Sequence, residues 1–269
     1  MVGVRTVHHL NCGSFRFGLV THVLVCETDS GLVMVDAGIG NADIDSPTSK
    51  LGRAALALGP ALERNETALE QLKRLGYSAN DVRHIICTHL DYDHISGASD
   101  FPDALVHVTA TEHSVAAARR GVSAKLRYRT HHLPLDMRIK TYGGQGEPQL
   151  GFSTSYRIAG LDDFTLIPLP GHTLGHAGVA IRAGRRGWLM HAGDAFYHQS
   201  SIGLGPDSSG LRPRALRAME SMLAAEPKRV NINHLRLKEL ANSPDIGIQV
   251  FCSHDKAALQ ALQGTTTRT

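Results

Sequence analysis

Short runs of β-branched and other apolar residues recur along the chain, with turn-forming segments between them. Near the start, Val20 to Glu27 and Leu32 to Val35 predict two strands, because residues 28–31 (Thr-Asp-Ser-Gly) between them have the composition of a turn. Further strands are predicted at His84–Thr88, Leu105–Val108, Phe164–Leu169, Ala177–Arg182, Trp188–His191 and Ile246–Phe251.

Helical periodicity fills several of the intervals between these strands. Leucines spaced three residues apart predict a helix between Asn65, as its N-cap, and Gly76, as its end. Other helices are predicted at Thr111–Arg120, Leu211–Ala225 and Asp255–Gln263. Residues 41–63 indicate an irregular or partly helical insert, and residues 121–160 are the least regular part. Because strands and helices alternate throughout, we expect one α/β domain spanning residues 1–269.

The composition supports a packed core. Of the 269 residues 42% are hydrophobic and 20% are charged, which is typical of a globular protein and not of a disordered one. The net charge of +3 is too weak to indicate a nucleic-acid partner. No apolar stretch is long enough for a membrane span, and Met1 to Asn11 lacks the apolar centre of a secretion signal. The scattered cysteines fit reduced thiols, so we expect a cytoplasmic protein without a membrane partner.

The densest polar cluster comes directly after the predicted strand at His84–Thr88. His89, Asp91, Asp93 and His94 are potential metal ligands at the point where this strand emerges into a loop. A bound cation is the simplest reason for two carboxylates and two imidazoles to tolerate such crowding. A solvated acidic turn with surface histidines is the alternative interpretation of this segment.

Three further groups of potential ligands follow other predicted strands. His172 and His176 lie in a Gly-His-Thr-Leu-Gly-His segment, in which His176 either binds metal or only supports a residue that does. Asp194 follows the strand predicted to end at His191, and His254 follows the last predicted strand. Because strand ends converge on one rim of an α/β fold, we expect these side chains to lie close to the first cluster.

Taken in order, these residues resemble the metallo-β-lactamase superfamily from about Val20 to His254. The resemblance rests on Asp36 in a V-D-x-G loop, on the H-x-D-x-D-H and G-H-T-x-G-H motifs, on Asp194 and on His254. It implies an αβ/βα sandwich, in which two mixed β-sheets lie face to face with helices on both outer surfaces. It also implies a two-metal site on the rim where the motif loops meet.

The resemblance implies a role for each residue of this set. The implied ligands of the first metal are His89, Asp91 and His172, and those of the second are Asp93, His94 and His254. Asp194 would bridge both metals. Asp36 would organise the site without touching either metal.

Asp91 departs from the superfamily pattern, which usually has histidine at this position. A carboxylate in place of an imidazole adds negative charge and favours harder ions such as Mn²⁺ or Fe²⁺. We expect two divalent metal ions, with zinc as the first choice, and we expect the Asp91 site to be the more labile. Replacing Asp91 by histidine is therefore expected to tighten the first metal.

Tyr197 indicates a resemblance to one branch of the superfamily. A tyrosine three residues after the bridging aspartate resembles N-acyl-homoserine lactone lactonases, in which the phenol hydrogen-bonds the substrate carbonyl or the leaving oxygen. A packed aromatic residue without a catalytic role is the alternative. The implied reaction opens a lactone or carboxylic ester through a metal-bound hydroxide, which Asp93 would orient while also binding metal.

Other functions of the same fold stay open. One is another hydrolase, acting on a thioester, a β-lactam or an organophosphate ester, and a second is a non-heme iron oxidoreductase. In each case we expect a small-molecule substrate, pocket walls from residues 41–63 and 121–160, and a monomer or homodimer.

The remaining histidines carry weaker signals. His22 is expected either to support the site or to be a buried histidine with its hydrogen bonds satisfied. No role is assigned to His113, His131, His132, His191, His198 or His234.

Overall fold

Two six-stranded mixed sheets form the centre of the structure, a computed structural model that describes residues 3–133, 138–205, 210–243 and 246–263. The first sheet has the order β1-β2-β3-β4-β5-β6, and the second has the order β12-β11-β10-β9-β8-β7. The strands of the first sheet are β1 Val4–Ser14, β2 Val20–Thr28, β3 Gly31–Val35, β4 Val82–Ile86, β5 Leu105–Thr109 and β6 Ile139–Tyr142. Those of the second are β7 Glu147–Gln149, β8 Phe152–Ile158, β9 Leu161–Pro168, β10 Ala177–Arg182, β11 Trp188–His191 and β12 Ile248–Phe251.

Strand pairing makes both sheets mixed. In the first sheet β1, β2 and β3 are antiparallel, whereas β3 to β6 run parallel. In the second sheet only β11 and β12 are parallel to each other. This architecture is the αβ/βα sandwich that the sequence predicts.

The helices of the described residues lie in the connections between the strands and after the last strand. They are α1 Asn41–Asp45, α2 Pro47–Lys50, α3 Gly52–Ala57, α4 Ala68–Arg74, α5 Tyr92–Ile95, α6 Ala110–Ala118, α7 Gly121–Arg127, α8 Leu211–Leu223, α9 Pro227–Ala241 and α10 Lys256–Gln263. Within the described ranges, none of these helices is long and apolar enough to cross a membrane.

Alternate residues along a strand face opposite sides of the sheet. One set packs in the apolar core between the two sheets, and the other packs in an apolar core on the outside. In β2, Leu24 and Cys26 pack between the sheets, where Phe164 of β9 also lies, while Val23 and Val25 pack beneath the helices on the outside. Both faces of the sheet are therefore apolar, as expected for strands covered on both sides. Leu237 and Leu240 of α9 pack on the outer face of the second sheet.

Three parts of the fold differ from the sequence prediction. The helix predicted from Asn65 begins at Ala68, because the Thr67 side chain accepts a hydrogen bond from the Glu70 N–H and caps it. Strand β1 and helix α9 are absent from the prediction. Residues 121–160 are more regular than expected, since they contain α7, β6, β7 and most of β8, although residues 134–137 of this segment lie outside the described residues.

Two of the loops that follow parallel strands approach each other closely. The Gly97 N–H donates to the Gly38 carbonyl at 2.9 Å, and the Ala37 N–H donates to the His94 carbonyl at 2.7 Å. A Cβ atom on Gly97 would lie 2.2 Å from the Ala37 carbonyl oxygen, which is closer than atoms can pack. Glycine at this position therefore allows the loop after β3 to rest against the segment after α5.

We expect Gly97→Ala to lower the free energy of unfolding by about 1–3 kcal/mol, the usual cost of overpacking. Urea denaturation followed by circular dichroism measures this change. Gly3→Ala is the matched control, because a Cβ on Gly3 meets no atom within 4 Å. Equal urea midpoints for Gly97→Ala and Gly3→Ala would contradict this prediction.

Candidate metal centre

The candidate site lies where loops leave the C-terminal ends of strands in both sheets. The loop after β4 carries His89 to His94, the loop after β9 carries His172, and the loops after β11 and β12 carry Asp194 and His254. The structure brings together all seven residues predicted as ligands: His89, Asp91, Asp93, His94, His172, Asp194 and His254.

The Asp194 carboxylate lies at the centre of this cluster. Its Oδ1 is 3.2 Å from His94 Nε2, and its Oδ2 is 2.9 Å from His254 Nε2 and 3.5 Å from His172 Nε2. Asp93 Oδ2 completes one side at 3.8 Å from His94 Nε2 and 3.9 Å from His254 Nε2. One carboxylate thus contacts imidazoles of both ligand groups that the sequence predicts.

Asp91 and His89 lie on the other side of the cluster. Asp91 Oδ2 is 3.0 Å from His172 Nε2 and 3.5 Å from His89 Nε2. The group formed by His89, His172 and Asp194 has its ligand atoms within 4.8 Å of one another, as does the group of Asp93, His94 and His254.

Several polar atoms of the cluster make no hydrogen bond within the chain. His89 Nε2, Asp91 Oδ1, His94 Nε2 and Asp194 Oδ1 are buried and accept or donate no hydrogen bond. Buried polar atoms are normally paired, so these atoms require an explanation. Zinc–nitrogen bonds of about 2.0–2.1 Å in tetrahedral geometry place ligand atoms roughly 3.3 Å apart, close to the separations around Asp194. The donor set therefore fits divalent metal ions.

Hydrogen bonds hold the imidazole rings with one nitrogen facing the cluster. His94 Nδ1 bonds Asp36 at 2.8 Å, His254 Nδ1 bonds the Val20 carbonyl at 2.8 Å, and His89 Nδ1 bonds the Thr88 hydroxyl at 3.0 Å. Nε2 of each ring is then left to face the cluster. Such outer contacts fix the tautomer and orientation of metal-binding histidines.

Asp36 joins the loop after β3 to the loop after β4. This residue is fully buried, and its φ of 59° places it in the left-handed region, which aspartate tolerates better than most residues. Its carboxylate accepts hydrogen bonds from the Thr88 N–H at 2.7 Å, from the Thr88 hydroxyl and from His94. Asp36 lies behind the cluster and orients it, consistent with the role predicted from the sequence.

Glu112 is a second organising carboxylate, and sequence reasoning missed it. It is fully buried in the first turn of α6, where its Oε1 accepts from the Leu90 N–H and its Oε2 accepts from the Thr173 hydroxyl and the Gly175 N–H. The Tyr128 hydroxyl also donates to Oε1. The only sequence signal is a carboxylate three residues after Thr109, which is typical of any helix start. Glu112 thereby links the loop of His89 to the loop of His172.

Charges in the cluster shift the pKa values of its members in opposite directions. Burial opposes a charge on the His94 ring, yet Asp194, Asp93 and Asp36 raise the pKa of His94 well above its usual value. Burial likewise opposes ionisation of Asp194, but His254 and His94 hold the pKa of its carboxyl well below the usual range. The Asp194 carboxylate is therefore ionised at neutral pH, which is the form that binds metal.

Arg127 is another residue of this site that the sequence did not indicate. Its Nη1 lies 3.5 Å from Asp91 Oδ2 and donates to the His172 carbonyl at 2.9 Å, and its Nη2 donates to the Leu223 carbonyl. Although burial opposes it, Arg127 helps to hold the pKa of Asp91 well below its usual value. Arg127 belongs to α7, in a segment that offered no motif.

An open cavity of about 680 Å³ leads to the cluster. Asp91, Asp93, His172, Asp194, Tyr197 and His254 line its polar floor. Most of the wall is apolar and includes Phe15, Phe17, Leu58, Leu126, Met219 and Met222.

Tyr197 is buried at this floor, with its ring centroid 4.8 Å from that of His254. Burial, together with the Asp194 carboxylate, raises the pKa of Tyr197 well above its usual value. The phenol therefore keeps its proton at neutral pH and can donate a hydrogen bond.

His176 and His22 lie outside the cluster. His176 Nε2 accepts from the Asp194 N–H at 2.9 Å, and its Nδ1 bonds the Leu169 carbonyl, so both nitrogens are used in supporting the loop of Asp194. His22 is buried and pairs with His9 at 2.9 Å.

Most histidines without a predicted role have hydrogen-bond partners elsewhere. His131 bonds the Lys50 carbonyl, and His132 bonds Asp43 at 2.7 Å, so both attach the segment after α7 to the insert at residues 41–63. His234 contacts Glu220 at 2.9 Å, and His191 bonds the His22 carbonyl.

Comparison with known proteins agrees with this fold and site. The family model of the metallo-β-lactamase superfamily matches residues 16–231. A probable metallo-hydrolase of Mycobacterium tuberculosis is 40% identical over 263 residues, covering 96% of this chain and 83% of that protein. The chain therefore belongs to the metallo-β-lactamase superfamily and is a metallo-hydrolase by class.

More distant relatives include proteins described as lactonases. An N-acyl homoserine lactonase of Bacillus thuringiensis is 25% identical over 179 residues, covering 65% of this chain and 64% of that protein. A solved structure of an N-acyl homoserine lactone hydrolase, with N-hexanoyl-L-homoserine at its metal centre, has a TM-score of 0.72 and 19% identity, covering 96% of each chain. This structural similarity shows that the two chains share a fold.

We expect Glu112→Gln to lower the free energy of unfolding by about 1–3 kcal/mol, because the amide NH₂ faces groups that also donate hydrogen bonds. Thermal and urea unfolding of the metal-free protein measure this change. The matched control is Glu239→Gln on the exposed face of α9. If both variants unfold like the wild type, Glu112 does not hold the two loops together.

Proposed function

We propose that this protein is a two-metal hydrolase that opens a lactone or a carboxylic ester of a small apolar molecule. The observation that carries the proposal is the position of the His/Asp cluster and of Tyr197 on the floor of one largely apolar cavity. The relatives described as lactonases support the choice of this branch. The proposed ligands are His89, Asp91 and His172 for one metal, Asp93, His94 and His254 for the other, and Asp194 for both.

Two divalent ions bound here, zinc in our proposal, would supply an acidified water and would polarise the carbonyl group. Asp93 lies at the cavity surface beside His94 and His254, where its carboxylate can accept a hydrogen bond from the attacking water and orient it. This role adds to metal binding by the same side chain.

Tyr197 is proposed to donate its phenol proton in a hydrogen bond to the substrate carbonyl or to the leaving oxygen. The position of Tyr197 supports this role, because the residue lines the cavity floor beside Asp194 and His254. A hydrogen bond that strengthens as negative charge develops accelerates the chemical step more than it tightens substrate binding.

The apolar wall indicates the kind of substrate. Phe15, Phe17, Leu58, Leu126 and Met222 offer contacts to hydrocarbon and no charge. A lactone or ester with an apolar chain would bury that chain here while its carbonyl faces the polar floor. Small-molecule sites commonly combine such walls with a few polar groups.

We expect protein purified without chelator to hold close to two transition-metal ions per chain. We expect Asp194→Ala to lose both ions, because Asp194 contacts imidazoles of both groups. Elemental analysis gives the stoichiometry, and Asp162→Ala, an exposed aspartate in β9, is the matched control. Less than about one ion per chain, with hydrolysis surviving strong chelator, would overturn the metal centre.

Activity measurements on the same metal-loaded protein identify the substrate class. A panel of N-acyl lactones, aryl esters, thioesters, a β-lactam and a phosphotriester should give the highest kcat/KM with a lactone or carboxylic ester. A higher value with another class of the panel would assign the protein to another branch of the superfamily.

We expect Tyr197→Phe to reduce kcat on the best lactone or ester roughly tenfold to a hundredfold. Removing one donor at a dedicated oxyanion hole costs on the order of 10²–10³, and metal ions share that role here. Metal content and melting temperature should stay close to those of the wild type, since the ring and its packing remain.

Tyr156→Phe removes a phenol in β8, outside the cavity lining, and serves as the control. An unchanged kcat for Tyr197→Phe would make Tyr197 a packing residue and would remove the main residue-level support for a lactonase.

A further inference from the structure

Asp91 and Arg127 form a charge pair at the edge of the metal cluster. Arg127 Nη1 lies 3.5 Å from Asp91 Oδ2, and both side chains are largely buried, with 19% and 15% of their surfaces exposed. The acids that line the cavity are Asp91, Asp93 and Asp194, and among the residues that the structure describes only Asp91 of these three forms an ion pair with an arginine.

The guanidinium is held in this position by backbone acceptors. Arg127 donates to the carbonyl of His172, whose imidazole lies 3.0 Å from Asp91, and to the carbonyl of Leu223 at the end of α8. Arg127 is therefore fixed on the side of Asp91 Oδ2, while Asp91 Oδ1 is buried without a partner. Asp91 Oδ2 thus faces both the guanidinium and the Nε2 atoms of His89 and His172, so Arg127 holds the carboxylate against the proposed ligands of the first metal.

We propose that Asp91 and Arg127 act as one neutral unit that takes the place of a single histidine ligand, with Arg127 as the residue that positions Asp91. The carboxylate adds one negative charge to the site, and the guanidinium cancels it. The inference rests on the proposed metal centre.

This proposal changes the expected effect of Asp91→His. That substitution alone leaves Arg127 buried without its carboxylate and facing a metal ion of the same sign. Asp91→His should therefore tighten the first metal only when Arg127 is made neutral at the same time. A partly buried charge that has lost its counter-charge is unfavourable in general.

Arg127→Met has two opposing effects in the wild-type background. It removes a positive charge near the metal, which tightens binding, and it releases Asp91, which loosens binding. In the Asp91→His background only the first effect remains. Because loss of a residue that orients a ligand typically weakens metal binding about 10–100-fold, Arg127→Met should favour metal binding about 10–100-fold more in that background than in the wild type.

The test is a double-mutant cycle of the wild type, Asp91→His, Arg127→Met and the double variant. Titration of zinc-loaded protein with a chromogenic chelator gives one release constant for each of the two proposed metal ions. The double-mutant cycle is calculated from the release constant that Asp91→His changes. The readout is metal release and does not depend on substrate. Lys125→Met, on the exposed face of α7, is the matched control for charge.

A second cycle with Arg127→Gln covers the case in which Arg127→Met does not fold, because glutamine keeps an N–H donor for the His172 carbonyl. Equal effects of the Arg127 substitution in both backgrounds would overturn the inference, since Arg127 would then only tie α7 to the loop of His172. A wild-type protein that holds no metal would overturn the proposed function as well, so the two failures are distinguishable.

Discussion

The carboxylate of Asp194, buried among the imidazoles of His94, His172 and His254, is the contact on which the site depends. Ionised groups taken out of water cost several kcal/mol each unless opposite charges or hydrogen bonds compensate. Here each imidazole comes from a different loop. The compensation therefore requires the strand ends of the two sheets to keep a fixed position relative to each other. The inner apolar core, where residues of both sheets pack together, holds the strand ends in that position.

Two carboxylates that face away from the cavity hold the loops in place. Asp36 accepts from Thr88 and His94, and Glu112 accepts from the backbone of the His89 loop and of the His172 loop. Each is buried among donors, and each connects segments that are far apart in sequence. Rigid support of this kind is what fixes ligand geometry in metal sites, because ligand side chains alone retain rotational freedom.

The seven residues of the cluster were predictable from sequence because each follows a predicted strand and their order resembles the superfamily motifs, and their role as metal ligands stays a prediction. Glu112 and Arg127 were not predictable, since their partners in other elements are 16 or more and 36 or more positions away, and a lone glutamate or arginine in a helix is usually solvated. The strand β1 was missed because histidines and an asparagine interrupt its apolar pattern. Helix α9 was missed because its exposed face carries Ile232 and Leu235, which blur the amphipathic pattern.

The sequence predicts part of the cavity wall, since residues 41–63, residues 121–160 and helix α8 all line the cavity, but it does not predict the contribution of the turn after β1. The apolar wall of the cavity comes from the turn after β1, from α3, from α7 and from α8, whereas its polar floor comes from motif loops. Helix α7 belongs to both regions, because it contributes Val122 and Leu126 to the wall and Arg127 to the contact with Asp91. A substitution that shifts α7 to fit another substrate must therefore also move the residue that positions Asp91. In this chain the shape of the cavity and the position of the Asp91 carboxylate are therefore physically coupled.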